Sequence, residues 1–132
     1  MYDPLDTTLF VARGNWGSIF YAQRHDGSVP AKEFYDSCQR PDQAKLNALF
    51  QRLAAMGWIP HREKCKVLEG ELCELKSHQI RVSFYRAGQC CYLLDGFVKK
   101  RDHWTSGELN HAKNLLAEHK AVLTAHTQRR TP

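Results

Sequence analysis

No apolar run in this sequence approaches the roughly 18 residues that a membrane-spanning helix requires. The first residues, Met1-Tyr-Asp-Pro-Leu-Asp6, are acidic and lack an apolar segment of the kind that begins a secretory signal, so a cytoplasmic protein is expected. No C-x-x-C spacing links any two of the five cysteines, Cys38, Cys65, Cys73, Cys90 and Cys91. An odd count without that spacing speaks for reduced thiols rather than a disulfide framework. The ligand pairs usual for zinc are missing as well, and neither a metal nor another cofactor is expected. Internal repeats and low-complexity segments are absent too.

What remains is ordinary in bulk. The chain has 132 residues, 42% of them hydrophobic and 25% charged, which fits one globular domain. Its formal net charge is +5. A basic balance favours anionic partners where the cations cluster.

They do cluster, between Cys65 and Trp104. Three strand-like runs follow one another there: Glu71–Lys76, Gln79–Arg86 and Gln89–Lys99. Lys76-Ser77-His78 and Ala87-Gly88 supply the turns. Lys66, Lys76, Arg81, Arg86, Lys99, Lys100 and Arg101 recur at or near the strand ends. Period-two alternation puts Ile80, Val82 and Phe84 on one face and Gln79, Arg81, Ser83 and Tyr85 on the other. The first set is expected to pack on helices. The second, with Arg81 near its middle and Lys76 on the neighbouring strand, is expected to lie open. In the last strand Cys91, Leu93 and Phe97 alternate against Tyr92, Leu94 and Val98. Both sets are apolar, so this strand is expected to be central.

Ahead of the meander, Ser18–Gln23 reads as a first strand. Pro30–Cys38 reads as a short helix with Pro30 at its first turn. From Asp42 to Met56, Leu46, Leu49, Phe50, Leu53 and Met56 fall on one helical face, and Gly57 and Pro60 stop the run. His61–Lys66 reads as a connector. A last helix starts near Thr105, where Thr105-Ser-Gly-Glu108 has capping-box form, and Leu109, Ala112, Leu116 and Leu123 stripe one side. The expected order is β-α-α-β-β-β-α. This is an α+β domain, a helical hairpin on a mainly antiparallel sheet with a C-terminal helix, and the helices are expected on one sheet face. Residues 1–16 read as an N-terminal extension, in which Leu9-Phe10-Val11 has two readings, a short strand or a docked arm; 17–123 read as the domain and 124–132 as a basic tail.

The order of elements resembles the RelE/ParE toxin superfamily, and the local strings look most like its HigB-type, phage-derived branch. Lys66-Val-Leu-Glu-Gly70 resembles K-x-L-x-G. Leu72-Cys-Glu-Leu-Lys76 resembles L-W-E-L-[RK], and Ile80-Arg-Val82 resembles Y-R-[VI]. Leu93-Leu-Asp-Gly-Phe-Val-Lys-Lys100 resembles L-L-H-G-F-x-K-K. The likeness covers roughly residues 18–120. Cys73 departs from the usual aromatic residue, Asp95 from a common His, and His103 from a usual Lys. The resemblance implies a toxin of a toxin–antitoxin pair. It would be an mRNA interferase (a metal-independent, ribosome-dependent endoribonuclease), or a ParE-like DNA gyrase inhibitor, or a non-catalytic binding relative. It implies mRNA on the ribosome and a cognate antitoxin with a helix-turn-helix domain as partners.

Cutting RNA without a metal requires charge on the phosphorane to be stabilised, one proton removed and another supplied. Arg81 is the candidate phosphate clamp, since its planar fork meets two phosphate oxygens. Lys76, Lys99 and Lys100 are candidate catalytic cations. Alternation sends Lys99 and Lys100 to opposite faces, which leaves open which one reaches the site. His103 suits an acid or a base. Lys66, Arg86 and Arg101 are candidate RNA-backbone contacts. Trp104 has two readings, a platform for a base or a core plug. Glu74 shares a face with Lys76 and reads first as a salt-bridge partner. His25, His61, His111, His119 and His126 carry no separable signal.

Overall fold

The computed structural model describes residues 7–100 and 103–130; for residue 7 and residues 126–130 it describes the backbone alone. The fold is α+β. A single 3-10 turn, Thr7–Leu9, leads into β1 (Phe10–Arg13) and β2 (Ser18–Tyr21). Helices α1 (Pro30–Ser37) and α2 (Arg40–Met56) follow, then β3 (Cys65–Glu69), β4 (Leu72–Ser77), β5 (Ile80–Ala87), β6 (Cys90–Val98) and α3 (Ser106–Arg130). The six strands form one sheet in the order β1-β2-β6-β5-β4-β3. Every neighbouring pair is antiparallel except β2 with β6.

Two strands exceed the expected order, and both lie at the sheet's edges. β1 comes from the segment read as an extension, and β3 takes up Lys66 of the segment read as a connector. Each is short and has one strand neighbour. β1 takes up Phe10 and Val11 of the stretch with two readings, whereas Lys66 and Glu69 break the apolar pattern of β3. The strand expected over Ser18–Gln23 ends at Tyr21. Helix α3 runs on through most of the segment read as a tail.

Helix ends follow local chemistry. Pro30 occupies the first turn of α1. Gly57 closes α2 in the left-handed region with φ of 77°, and its N–H reaches Leu53 O at 2.7 Å. Thr105 and Glu108 make the expected capping box at α3. Glu108 N–H donates to Thr105 Oγ1 at 3.1 Å, and Thr105 N–H to Glu108 Oε1 at 2.9 Å.

Helix α2 buries Leu46, Leu49, Phe50, Leu53 and Ala54. Met56, expected on that stripe, is half exposed; in the last turn Leu53 and Ala54 face the core and Met56 falls at the edge of the stripe. With α1, α2 covers the face that bears Leu75, Val82, Phe84 and Leu93. Helix α3 covers the opposite face. This corrects the expectation that all helices share one face and that the Arg81 face lies open. Ala112, Leu115 and His119 of α3 are buried against it. Tyr85 and Tyr92 stack there beside His119, with centroid distances of 5.7 and 4.7 Å to its ring.

The two halves of the sheet meet where β2 runs parallel to β6. Ser18 N–H donates to Gln89 O at 3.0 Å, and a Cβ on Gly17 would lie 1.9 Å from that same oxygen. The obstacle is backbone and cannot turn away. Gly17→Ala is therefore expected to destabilise the protein by roughly 2 kcal/mol or more, measured as a lowered midpoint of urea unfolding with little change in slope.

Candidate functional site

A β-bulge in β6 decides what faces α3. The β5–β6 register pairs Ser83 with Asp95 and then Phe84 with Leu93, so Leu94 is the extra residue. Strict alternation would keep Phe97 on the side of Cys91 and Leu93. The bulge moves Asp95, Phe97 and Lys99 to the other side, alongside Glu74, Arg81, Ser83 and Tyr85. Asp95 steadies the bend by accepting the Gly96 N–H on Oδ1 at 2.8 Å. Gly96 turns toward α1, where a Cβ would meet the Phe34 ring at 2.3 Å.

The face under α3 is polar yet covered. Glu74 is its hub. Its Oε1 lies 3.3 Å from Arg81 Nε and accepts the Trp104 indole N–H at 2.6 Å, and its Oε2 lies 3.8 Å from Lys66 Nζ. Arg81 Nη1 also donates to His78 O in the β4–β5 turn at 2.6 Å and to Ile80 O at the start of β5 at 3.1 Å. Arg81 is only 4% exposed, not open as expected. Glu74 offsets the Arg81 charge from the neighbouring strand, and the adjacent backbone takes the Nη1 donors. Lys99 is equally buried, and its ammonium is paired with Glu108 of α3. Lys99, first, and the Thr105 N–H hold the Glu108 carboxyl below the usual range, against some desolvation. Phe97 and Trp104 meet edge to face at 4.8 Å between centroids. Trp104 thus sits as a half-buried plug.

The remaining expected residues divide by position. Lys76 stands directly across from Arg81 in the β4–β5 register and is half exposed. Lys66 joins the Glu74 cluster. Lys100 and His103 are exposed in the passage from β6 to α3. Arg101 lies outside the described residues. Arg86 is not brought to this end of the sheet. It sits at the far end of β5, donating to Gly57 O at 2.9 Å and lying 5.2 Å from the Trp58 ring centroid.

Two clefts flank the cluster. One, of about 410 Å³, opens between β6 and the first turns of α3, with Ser83, Asp95, Phe97, Trp104, Glu108 and His111 on its walls. There His111 Nε2 lies 3.4 Å from Asp95 Oδ2. Burial raises the Asp95 carboxyl, while the Gly96 N–H, His111 and Arg24 pull it back down. The other cleft, of about 580 Å³, runs between α2 and the β4–β5 turn. It gathers the cations Lys45, Arg52, Lys64 and Lys76, with His78, against Glu63 alone. His78 takes the left-handed region there, with φ of 54°.

Sequence reasoning missed His111, His119 and the three cations Lys45, Arg52 and Lys64. A signal existed for the histidines: His111, Leu115 and His119 recur every four residues along α3, on the side that meets the sheet. His119 Nδ1 lies 2.6 Å from the Tyr85 hydroxyl. The thiols of Cys73 and Cys91 are buried and pushed up to about 11 and about 12, mainly by desolvation.

Residues 33–117 match the family described as Phage derived protein Gp49-like (DUF891). The match spans α2, all of β3–β6 and the half of α3 that bears Glu108 and His111. The chain belongs to this phage-derived family, which is RelE- and toxin-like. The family is consistent with the toxin of a toxin–antitoxin pair, is associated with endoribonucleases of such pairs, and implies an antitoxin partner. No curated protein matches the chain. Among the described residues no helix is long and apolar enough to cross a membrane.

Two outcomes test this electrostatic arrangement. Removing the hub leaves Arg81 buried without its counter-charge. Glu74→Ala is therefore expected to cost roughly 3–5 kcal/mol, most of it recovered in Glu74→Ala/Arg81→Met, as read by urea unfolding. His119 is depressed from 6.5 to about 4, chiefly by burial and against the pull of Glu118. The unfolded chain therefore binds a proton that the folded chain refuses. Stability is full above the unfolded value and falls by about 3 kcal/mol as pH drops from 6.5 toward 4. His119→Gln keeps an acceptor for Tyr85 and is expected to lose that component when unfolding is followed across the same pH window.

Proposed function

We propose that this protein is a HigB-type toxin that cuts mRNA on the ribosome without a metal, held in check by an antitoxin with a helix-turn-helix domain. One observation carries the reading. The cleft beside the β4–β5 turn collects four cations against one carboxylate and includes Lys76, which belongs to the toxin-like strings. A groove of that charge suits an RNA backbone. Lys76, Lys100 and His103 lie within reach of solvent and take the phosphate-facing roles, with Arg101 and Lys66 as outer contacts. Arg81 and Lys99 act from beneath, fixing the turn and the start of α3 on which the exposed groups stand. Trp104 belongs to that support.

A second reading rests on a different observation. Arg81 and Lys99 are buried in ion pairs, which suits a relative that kept the fold as a binding module and lost the chemistry. Purified protein added to a translating extract separates the two. The nuclease reading expects new mRNA 5′ ends that need translating ribosomes; intact message would overturn it. DNA supercoiling by purified gyrase, assayed alongside, is expected to proceed unhindered. Lys45→Glu/Arg52→Glu, on the exposed side of α2, is expected to weaken co-sedimentation with ribosomes about tenfold or more and to flatten its dependence on salt.

A further inference from the structure

The ion pairs of α3 are not alike. Lys113–Glu69 and Lys120–Glu71 join side chains that are about half exposed. They read as solvated tethers. His111–Asp95 differs in its surroundings. Asp95 is largely buried at the bulge, and one carboxylate oxygen is occupied by the Gly96 N–H. The other faces His111 across a cleft whose walls carry the Ser83 hydroxyl and the rings of Phe97 and Trp104. The His111 side chain is 57% exposed, so its ring is held on one edge and open on the other. An imidazole oriented by a carboxylate at the wall of a cleft is the arrangement of a general base and its orienting partner. With Nε2 turned to Asp95, Nδ1 is the nitrogen left to take a proton.

We propose that His111 is the proton acceptor of the nuclease reaction and that Asp95 is its positioning residue. The inference rests on the nuclease reading given above. In the step, the ribose 2′-oxygen bonds to the adjacent phosphorus and its proton passes to His111 Nδ1. The bond from phosphorus to the 5′-oxygen breaks, leaving a 2′,3′-cyclic phosphate. The leaving 5′-oxygen takes a proton from solvent water, and His111 returns its own to solvent. Arg24, which follows β2, acts on Asp95 from outside the pair, and Glu108 of α3 lines the same cleft.

The test uses the full chain in a translating extract with a defined message, read as the rate at which cut ends appear between pH 5.5 and 8.5. His111→Ala and His111→Gln are expected to slow cutting about 100-fold or more, with ribosome co-sedimentation and melting temperature unchanged. His25→Ala removes an exposed His that pairs with Glu118 instead, and is expected to cut normally. Asp95→Ala frees the imidazole from its anchor and is expected to slow cutting about tenfold at saturating message without changing the half-saturating concentration, and Asp95→Glu to restore most of the rate, which a merely structural role would not do. If the wild type cuts, and His111→Ala stays within about threefold of it, the inference is overturned and the nuclease reading stands. If the wild type leaves the message intact, the nuclease reading is overturned and the inference with it.

Discussion

The arrangement around the sheet depends on one buried carboxylate. Glu74 meets Arg81, Lys66 and Trp104 at once, from β5, β3 and the approach to α3. Isolated in a covered site, a carboxylate or a guanidinium would be costly. Together, with two backbone carbonyls accepting from Arg81 Nη1, they offset the cost of one another's burial. The pair fixes the β4–β5 turn from inside. It also fixes where the chain enters α3, because Trp104 is tied to the same oxygen as Arg81. The groups at the surface of this region are placed by what lies beneath them.

The bulge in β6 has a comparable reach. One extra residue, Leu94, turns Asp95, Phe97 and Lys99 toward α3. Without it Asp95 would point at α1, and Lys99 would lose its route to Glu108. The resulting interface is an unusual one for a helix on a sheet. Its apolar part is narrow, centred on Ala112 and Leu115, and acid–base pairs surround it. Lys99–Glu108 and His111–Asp95 close one end, Arg24–Glu118 lies farther along, and Lys113 and Lys120 reach Glu69 and Glu71 at the β3–β4 turn. A toxin-like family membership and a cationic cleft sit on a scaffold whose own cations are partly spent in holding it together.

Much of this was legible beforehand. The α2 stripe, the Thr105–Glu108 box, the hairpin turns and the central place of β6 follow from local spacing, and local spacing is what the chain displays directly. Glu74 was readable as a salt-bridge partner because it alternates with Lys76. The accessibility of Arg81 was not. A polar strand face looks solvent-exposed unless one knows that a distant helix carries charges complementary to it. Nor was the bulge legible, since Cys91, Leu93 and Phe97 stay in phase in the sequence, with Asp95 the one in-phase residue between the last two, while the register slips there. Leu9-Phe10-Val11 reads as a short strand or a docked arm, and Phe10–Arg13 is the edge strand β1; β3 escaped notice because Lys66 and Glu69 interrupt its apolar residues. The cationic cleft joins residues of α2 to a turn some thirty positions away, a proximity that only the tertiary structure supplies.

The lone parallel ladder has a consequence for how the chain assembles. β2 can pair with β6 only after Cys90–Leu93 exist, about seventy residues after β2 itself. During synthesis the β1–β2 hairpin emerges first and must wait for its strand partner, with α1 and α2 the early surfaces near it. The four-stranded meander, by contrast, is built from neighbours joined by two-residue turns. Local pairing closes quickly and distant pairing slowly. The meander and its charged underside are therefore complete before the N-terminal hairpin docks, and the joining of the two halves at Gly17 and Gln89 comes late in folding.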